Sequence, residues 1–314
     1  MRKRSVLLGV LAATWMAWAG PASEGIALWK QGDTNRFQEV ARDFRHALAV
    51  DPQNPDYHSL LGRILLDLGE PQEASAELHW TMGFHARDAA TVAETHLAQG
   101  QCLELLRKPT HARLEYEKVH GGQELTRQAQ GRAQMCQWPR QNLPHVVVVA
   151  PSAMPAEAAK AESDVARMCA QSGVALEFPI LVYVANGPEV PEGRQQVFVP
   201  SGAWAPALAR IVAWRIAPTH STDPLVRHGM LQWLSAPDVA LPKPLVPLSD
   251  LKEWTPDADA EAGAFIGWLV KTYGLDACRA FWTDPQSVRG ALTAYHKSLG
   301  DLEAEWLKAS GPSS

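Results

Sequence analysis

Two glycines, Gly62 and Gly100, are followed by side chains of matched size at matched distances, and no other feature constrains the fold of this chain as much. Counting from Gly62, positions 3, 7, 12 and 16 residues on are Leu65, Gly69, Ala74 and Leu78; from Gly100 they are Leu103, Arg107, Ala112 and Tyr116. Small residues at two such positions, each with apolar neighbours one turn away, fit two antiparallel helices that cross closely where side-chain bulk is missing. The period is 38 residues. Upstream, Phe44, Ala47, Leu48 and Pro52 fit the end of an earlier unit whose second helix the proline stops, with a poorly fitting first helix at residues 26–31. Residues 124–136 offer one more helix to cover the open end of the stack.

This pattern resembles the tetratricopeptide repeat, whose usual unit is 34 residues, so the four extra residues fall to a longer loop. The resemblance implies an α-helical solenoid over residues 20–138 and a concave face for a protein or peptide partner. In the family's register that face carries Asp56, Ser59, Arg63, Asp67, Glu94, Gln101 and Glu104. It is mostly acidic, with Arg63 its one cation, unlike repeats that grip a terminal carboxylate with lysines and asparagines. A partner groove and a plain solvated face both remain open for these seven residues.

Residues 1–19 run from the basic cluster Arg2-Lys3-Arg4 through an apolar stretch to Ala17-Trp18-Ala19, with small residues where a signal peptidase reads. The expectation is a cleaved secretory signal and a periplasmic or secreted product; the other reading is an anchor that stays attached, although the run is short for a membrane span. No later stretch is apolar for long enough to span a bilayer. The chain has 34 acidic and 29 basic residues, a formal charge of −5 that becomes −8 without the leader, which argues against a nucleic-acid or anionic-membrane binder. Four cysteines, Cys102, Cys136, Cys169 and Cys278, form no CxxC pair. In an oxidising compartment Cys102 with Cys136 and Cys169 with Cys278 is the simplest pairing; four buried thiols are the alternative.

The stretch from Trp138 to Pro144 holds two prolines and no helical period, and marks a domain boundary. Beyond it, residues 146–150, 178–185 and 196–199 read as strands, a helix spans about Pro155 to Gln171, and the chain turns helical after Pro200. Strands followed by helices predict an α+β domain.

Here a second resemblance enters. Ile211-Val212-Ala213-Trp214-Arg215-Ile216-Ala217-Pro218 is similar to the active-site helix of the peptidase MA-like (gluzincin) superfamily, which reads roughly V-L-A-H-E-L-T-H. The run from Leu225 to Leu234, LVRHGMLQWL, is similar to that family's W-L-S-E-G-L-A-E-Y-L, and Ala264-Phe265, Tyr273-Gly274 and the segment Leu299 to Trp306 follow in the family's order. The resemblance covers residues 145–310 and implies a zincin-like α+β domain. It also implies a zinc held by two histidines one helical turn apart and by a glutamate on the next helix, with a glutamate base beside the first histidine.

None of the four is present. Trp214 has no free lone pair for a metal, Arg215 cannot serve as a base, Pro218 has no side-chain donor, and His228 stands where the third ligand belongs. Nine residues separate Pro218 from His228, about half the family's usual spacing. These are degenerate active-site positions; no catalytic residue, metal or other cofactor is expected. By the same resemblance the strand Gln196, Val197, Phe198, Val199 is the one along which a peptide would lie, with Arg215 and His228 holding a carboxylate where the metal once sat. His220, Asp223 and His228 are the nearest group of ligand types, against a helix start capped by Thr222 or Asp223 with Pro224 at its first position.

No G-x-S-x-G, phosphate-binding G-x-x-x-x-G-K, H-E-x-x-H or dinucleotide glycine fingerprint occurs. The tryptophans between Trp204 and Trp306 read as core, or as a ligand platform. The chain is therefore expected to be mainly α and multidomain, an exported non-catalytic scaffold that joins a repeat module to a pseudo-metallopeptidase. The alternative is a zinc metallopeptidase or other hydrolase with a non-standard site, using histidines such as His145 or His296.

Overall fold

A computed structural model describes residues 36–83, 89–187, 192–200, 204–217, 223–237, 248, 254–284 and 287–310. Among them are thirteen helices and a four-stranded sheet. Contacts divide the chain into two units, Met1–Trp138 and Pro139–Ser314.

The first unit is helical: α1 (Phe37–Val50), α2 (Pro55–Leu68), α3 (Pro71–Gly83), α4 (Ala89–Leu105), α5 (Pro109–Glu117) and α6 (Gln123–Met135). Helices α2 with α3 and α4 with α5 are the two copies of the 38-residue repeat, and each pair crosses at its glycine. A Cβ on Gly62 would stand 2.6 Å from Leu78 Cγ and 3.1 Å from the Ala74 carbonyl, and one on Gly100 would run into the Tyr116 ring. The turns repeat as well. Gly69 closes α2 with φ 78°, and Arg107 takes the same left-handed conformation after α4 at φ 59°. Glu70 N donates to Leu65 O at 2.9 Å, and Lys108 N to Leu103 O at 2.7 Å, the reversed turn that satisfies a helix's last carbonyls. Pro71 and Pro109 then open α3 and α5, where a missing N–H costs nothing.

Two histidine–carboxylate contacts keep the same spacing. His58 Nδ1 meets Glu77 Oε2 at 2.5 Å, and His96 Nδ1 meets Glu115 Oε2 at 2.7 Å, each tying the two helices of one pair. Helix α1 buries Phe37, Val40, Ala41 and Phe44 and packs on α2, as the last helix of an earlier unit should; the expected first helix of that unit lies outside the described residues. Helix α4 is buried on every side from Leu97 through Leu105, and α6 packs on α4 and α5 at the end of the stack.

The second unit opens on a sheet: β1 (Arg140–Asn142), β2 (Val146–Val149), β3 (Ile180–Val184) and β4 (Gln196–Val199), in that spatial order. Strands β2, β3 and β4 are parallel, and β1 pairs antiparallel with β2. The segment read as a linker thus contains an edge strand, invisible beforehand because Arg-Gln-Asn carries no β-branched or apolar signal. Helix α7 (Pro155–Ser172) crosses from β2 to β3. This part is a βαβ unit with strands buried on both faces, and the continuous runs VVVV and ILVYV suit that better than the alternation of an open sheet.

The rest is helical: α8 (Trp204–Ile216), α9 (Pro224–Ser235), α10 (Pro256–Tyr273), α11 (Leu275–Thr283), α12 (Ser287–Tyr295) and α13 (Leu299–Ser310). Helix α8 is apolar apart from Arg210 and Arg215 and packs against α7, β4 and α9. Helices α9 and α10 cross at another glycine: a Cβ on Gly229 would lie 2.7 Å from Ile266 Cγ1 and 2.8 Å from the Ala262 carbonyl. Arg167 on α7 caps the end of α9, donating to Leu234 O at 2.8 Å and Ser235 O at 3.2 Å.

The turn and the crossing make opposite predictions for two neighbouring positions. Arg107→Gly relieves a left-handed residue and should raise stability by about 1 kcal/mol, whereas Gly100→Ala overpacks the Tyr116 contact and should lower it by about 1–3 kcal/mol. Urea unfolding of the two variants beside the parent checks both signs.

Candidate functional site

The seven residues read as a concave face do not form one. Ser59, Asp67, Gln101 and Glu104 are buried, leaving Asp56, Arg63 and Glu94 partly exposed. Ser59 Oγ lies 2.9 Å from Thr95 Oγ1, bonding α2 to α4, and Arg63 is ion-paired to Glu94 across the same two helices. Helical register places these side chains on one face, but the next helix packs over that face and converts most of it into interior.

Glu104 is the clearest case. Its side chain has no exposed surface, and it accepts from Arg132 Nη1 at 2.9 Å and Tyr116 OH at 2.7 Å, with Cys136 Sγ at 3.4 Å. Arg132 is itself buried, so α6 is fixed to the repeat by a charge pair inside the protein.

In the second unit the two helices singled out by the peptidase resemblance do pack on each other. Trp214 is buried, and the Arg215 guanidinium lies over its ring at 5.1 Å. Arg215 also reaches the Gly193 carbonyl at 3.5 Å and, with the Gln195 amide in its hydrogen-bonding orientation, the Gln195 side-chain oxygen at 2.9 and 3.1 Å. His228 is held from elsewhere: its Nδ1 is 2.8 Å from Asp259 Oδ1 on α10, and its ring stacks on Trp254 at 4.8 Å. Arg215 is thus engaged beside β4 and His228 beside α10, which is not the shared carboxylate clamp expected of them. Pro218 and His220 lie outside the described residues.

This donor set does not suit a zinc ion. An indole and a guanidinium cannot coordinate one, His228 is engaged by Asp259, and Asp223 caps α9 by accepting from Leu225 N at 2.9 Å. Among the described residues no group of three or more histidine, cysteine, aspartate or glutamate side chains gathers as a metal site.

Strand β4 ends the sheet, as an edge strand for an added peptide must. Yet Gln196 is 1%, Val197 8% and Val199 4% exposed, with only Phe198 partly open, stacked on Tyr183 at 4.9 Å. A strand that accepts a partner shows its outer N–H and C=O groups to solvent, and this one is covered.

All four cysteines are free thiols, with Cys102, Cys169 and Cys278 buried and Cys136 partly exposed, which is the second of the two readings left open by the sequence. Burial, together with the Glu162 charge, pushes the Cys169 thiol up to about 11, and burial pushes Cys278 up to about 12. Both remain protonated near neutrality and are poor nucleophiles.

A cluster not anticipated from sequence joins α10 to α13. Lys297 Nζ lies 2.6 Å from Glu305 Oε1 and 3.0 Å from Tyr273 OH, which donates to Glu305 Oε2 at 2.6 Å. The hydrogen bonds from Lys297 and Tyr273 hold the Glu305 carboxyl below its ordinary value. Its spacing in sequence, residues 273, 297 and 305, gives no periodic signal; only the fold brings the three together.

Two expectations follow. Glu104→Ala leaves the Arg132 charge buried alone and should cost about 3–5 kcal/mol, much of it recovered in the double variant with Arg132→Met; urea unfolding measures both. Because the folded Glu305 carboxyl titrates below the unfolded one, its contribution is present above about pH 4.5 and is lost as the pH falls through the folded value. The difference in unfolding midpoint between the parent and Glu305→Gln should therefore shrink between neutral pH and pH 3, and a constant difference would contradict the assignment.

Comparison with known proteins gives one family: a tetratricopeptide repeat model matches residues 30–81. That span covers α1, α2 and most of α3, including the Gly62–Leu78 crossing. No curated protein and no solved structure matches the chain. A tetratricopeptide repeat in a mainly helical protein points to contacts with other proteins.

Proposed function

We propose that this chain is an exported, non-catalytic protein-interaction scaffold, periplasmic or secreted, in which a tetratricopeptide-type module is joined to a pseudo-metallopeptidase domain over residues 145–310. The observation that carries the scaffold reading is the duplicated helix crossing, Gly62 on Leu78 and Gly100 on Tyr116, inside a region whose first copy matches the repeat family. Export rests on the leader-like pattern of residues 1–19. The pseudo-peptidase reading rests on the order of the carboxy-terminal motifs and on the indole, guanidinium and aspartate-bound imidazole at three of the four positions that zinc chemistry needs. No described helix is long and apolar enough to cross a membrane. Most of the seven residues read as a concave face are interior, which leaves Asp56, Arg63 and Glu94 of them partly open to a partner.

Chemical crosslinking in the cell of origin, followed by purification of the intact chain, tests the proposal. A defined partner should be recovered with the parent and lost with Gly100→Leu, which wedges the second helix pair apart while leaving the second unit unaltered. Recovery of the same partner from both would place binding outside the repeat, and hydrolysis of casein or of a peptide library by the purified chain would overturn the non-catalytic reading.

A further inference from the structure

The end of the repeat stack is closed by a helix poorly equipped to stay there. Helix α6 fully buries only Ala129 and Arg132, whereas α2 buries nine residues. In its sequence, QELTRQAQGRAQM, the inward positions hold Leu125, Ala129, Arg132 and Ala133, so one large apolar side chain serves where α2 supplies several. Helix α2 is capped by Asn54, which accepts from Asp56 N and Tyr57 N at 3.1 and 3.3 Å, while α6 begins at Gly122 with no side-chain cap. Its exposed Glu124–Arg127 pair adds little.

Gly131 sits in mid-helix with negative φ, and a Cβ there would meet nothing within 4 Å. Neither packing nor backbone geometry calls for a glycine at that position; its effect is to weaken the helix. The main anchor is the buried Arg132–Glu104 pair, an interaction in which desolvation cancels much of the attraction. Few buried apolar contacts and a weak helix place a segment at the low end of local stability.

We propose that α6 is a detachable cap: it opens by local unfolding while α2 to α5 stay folded, and an amphipathic helix of a partner protein takes its place. The surface uncovered belongs to the cluster of Leu97, Leu103, Ala112, Tyr116 and Val119, with Leu125, Ala133 and Cys136 of the α6 region packed on it. Glu104 lies on the same side, so the incoming helix carries a cation to meet its carboxylate, as Arg132 does now. This goes beyond the scaffold reading by naming the surface and the chemistry of what it accepts.

Hydrogen exchange on the full chain tests the opening. Amides of residues 125–136 should exchange at least about tenfold faster than those of residues 97–105. Gly131→Ala should slow the former about two- to fivefold and leave the latter unchanged. If both segments exchange together and Gly131→Ala slows them by one common factor, α6 belongs to the cooperative core and the proposal is wrong.

A fluorescent synthetic peptide of residues 121–138, titrated into the full chain, tests the acceptor. Saturable binding is expected, weakened about two- to fivefold by Gly131→Ala in the chain, because fewer molecules are open, and lost when the peptide carries Arg132→Gln. Local opening without peptide binding would overturn the acceptor half, independently of whether crosslinking finds a partner.

Discussion

The contact between a glycine on one helix and a large side chain on the next is the constraint from which the first unit follows. With no Cβ at Gly62 or Gly100, the backbones of α2 and α4 can approach Leu78 and Tyr116 until a further carbon would not fit. That proximity fixes the length of the turn between the helices, which needs a left-handed residue, filled by Gly69 in one copy and by Arg107 in the other. It also fixes which residues face each other, so that the histidine–glutamate pairs fall at the same height in both copies. A strained arginine is tolerated where the rest of the register determines the turn.

The second unit uses the same device where α9 and α10 cross, at Gly229 against Ile266 and at Gly263 against Gln232, but surrounds it with a different architecture. A parallel sheet buried on both faces and a largely apolar α8 make up much of its interior. Polar side chains around it close helix ends or join elements, as the half-buried Arg167 and the exposed Glu305 do. Thiols are driven toward their neutral form, and His228 is bound to a carboxylate.

Much of this was legible in the residues, and what was not has a physical cause. The helix crossing follows from the spacing of small and large residues after Gly62 and Gly100, and β2, β3, β4 and the extent of α7 follow from their apolar runs and helical period. The histidine–glutamate pairs were equally available, since 58 and 96, and 77 and 115, differ by the same 38 residues as the glycines. Register, however, tells which side chains share a face and is silent on what packs over that face. Glu104 therefore read as an exposed acid when it is a buried partner of Arg132, and β4 read as an open edge when its residues are covered. Strand β1 was hidden because antiparallel pairing with β2, rather than any preference of Arg-Gln-Asn, makes it a strand.

The account treats the chain as one that holds other molecules rather than transforming them, and zinc titration of the purified full-length chain by calorimetry probes this most directly. It predicts no saturable binding and no change when His228 is replaced by alanine. One equivalent of tightly bound zinc, lost in His228→Ala, would contradict it.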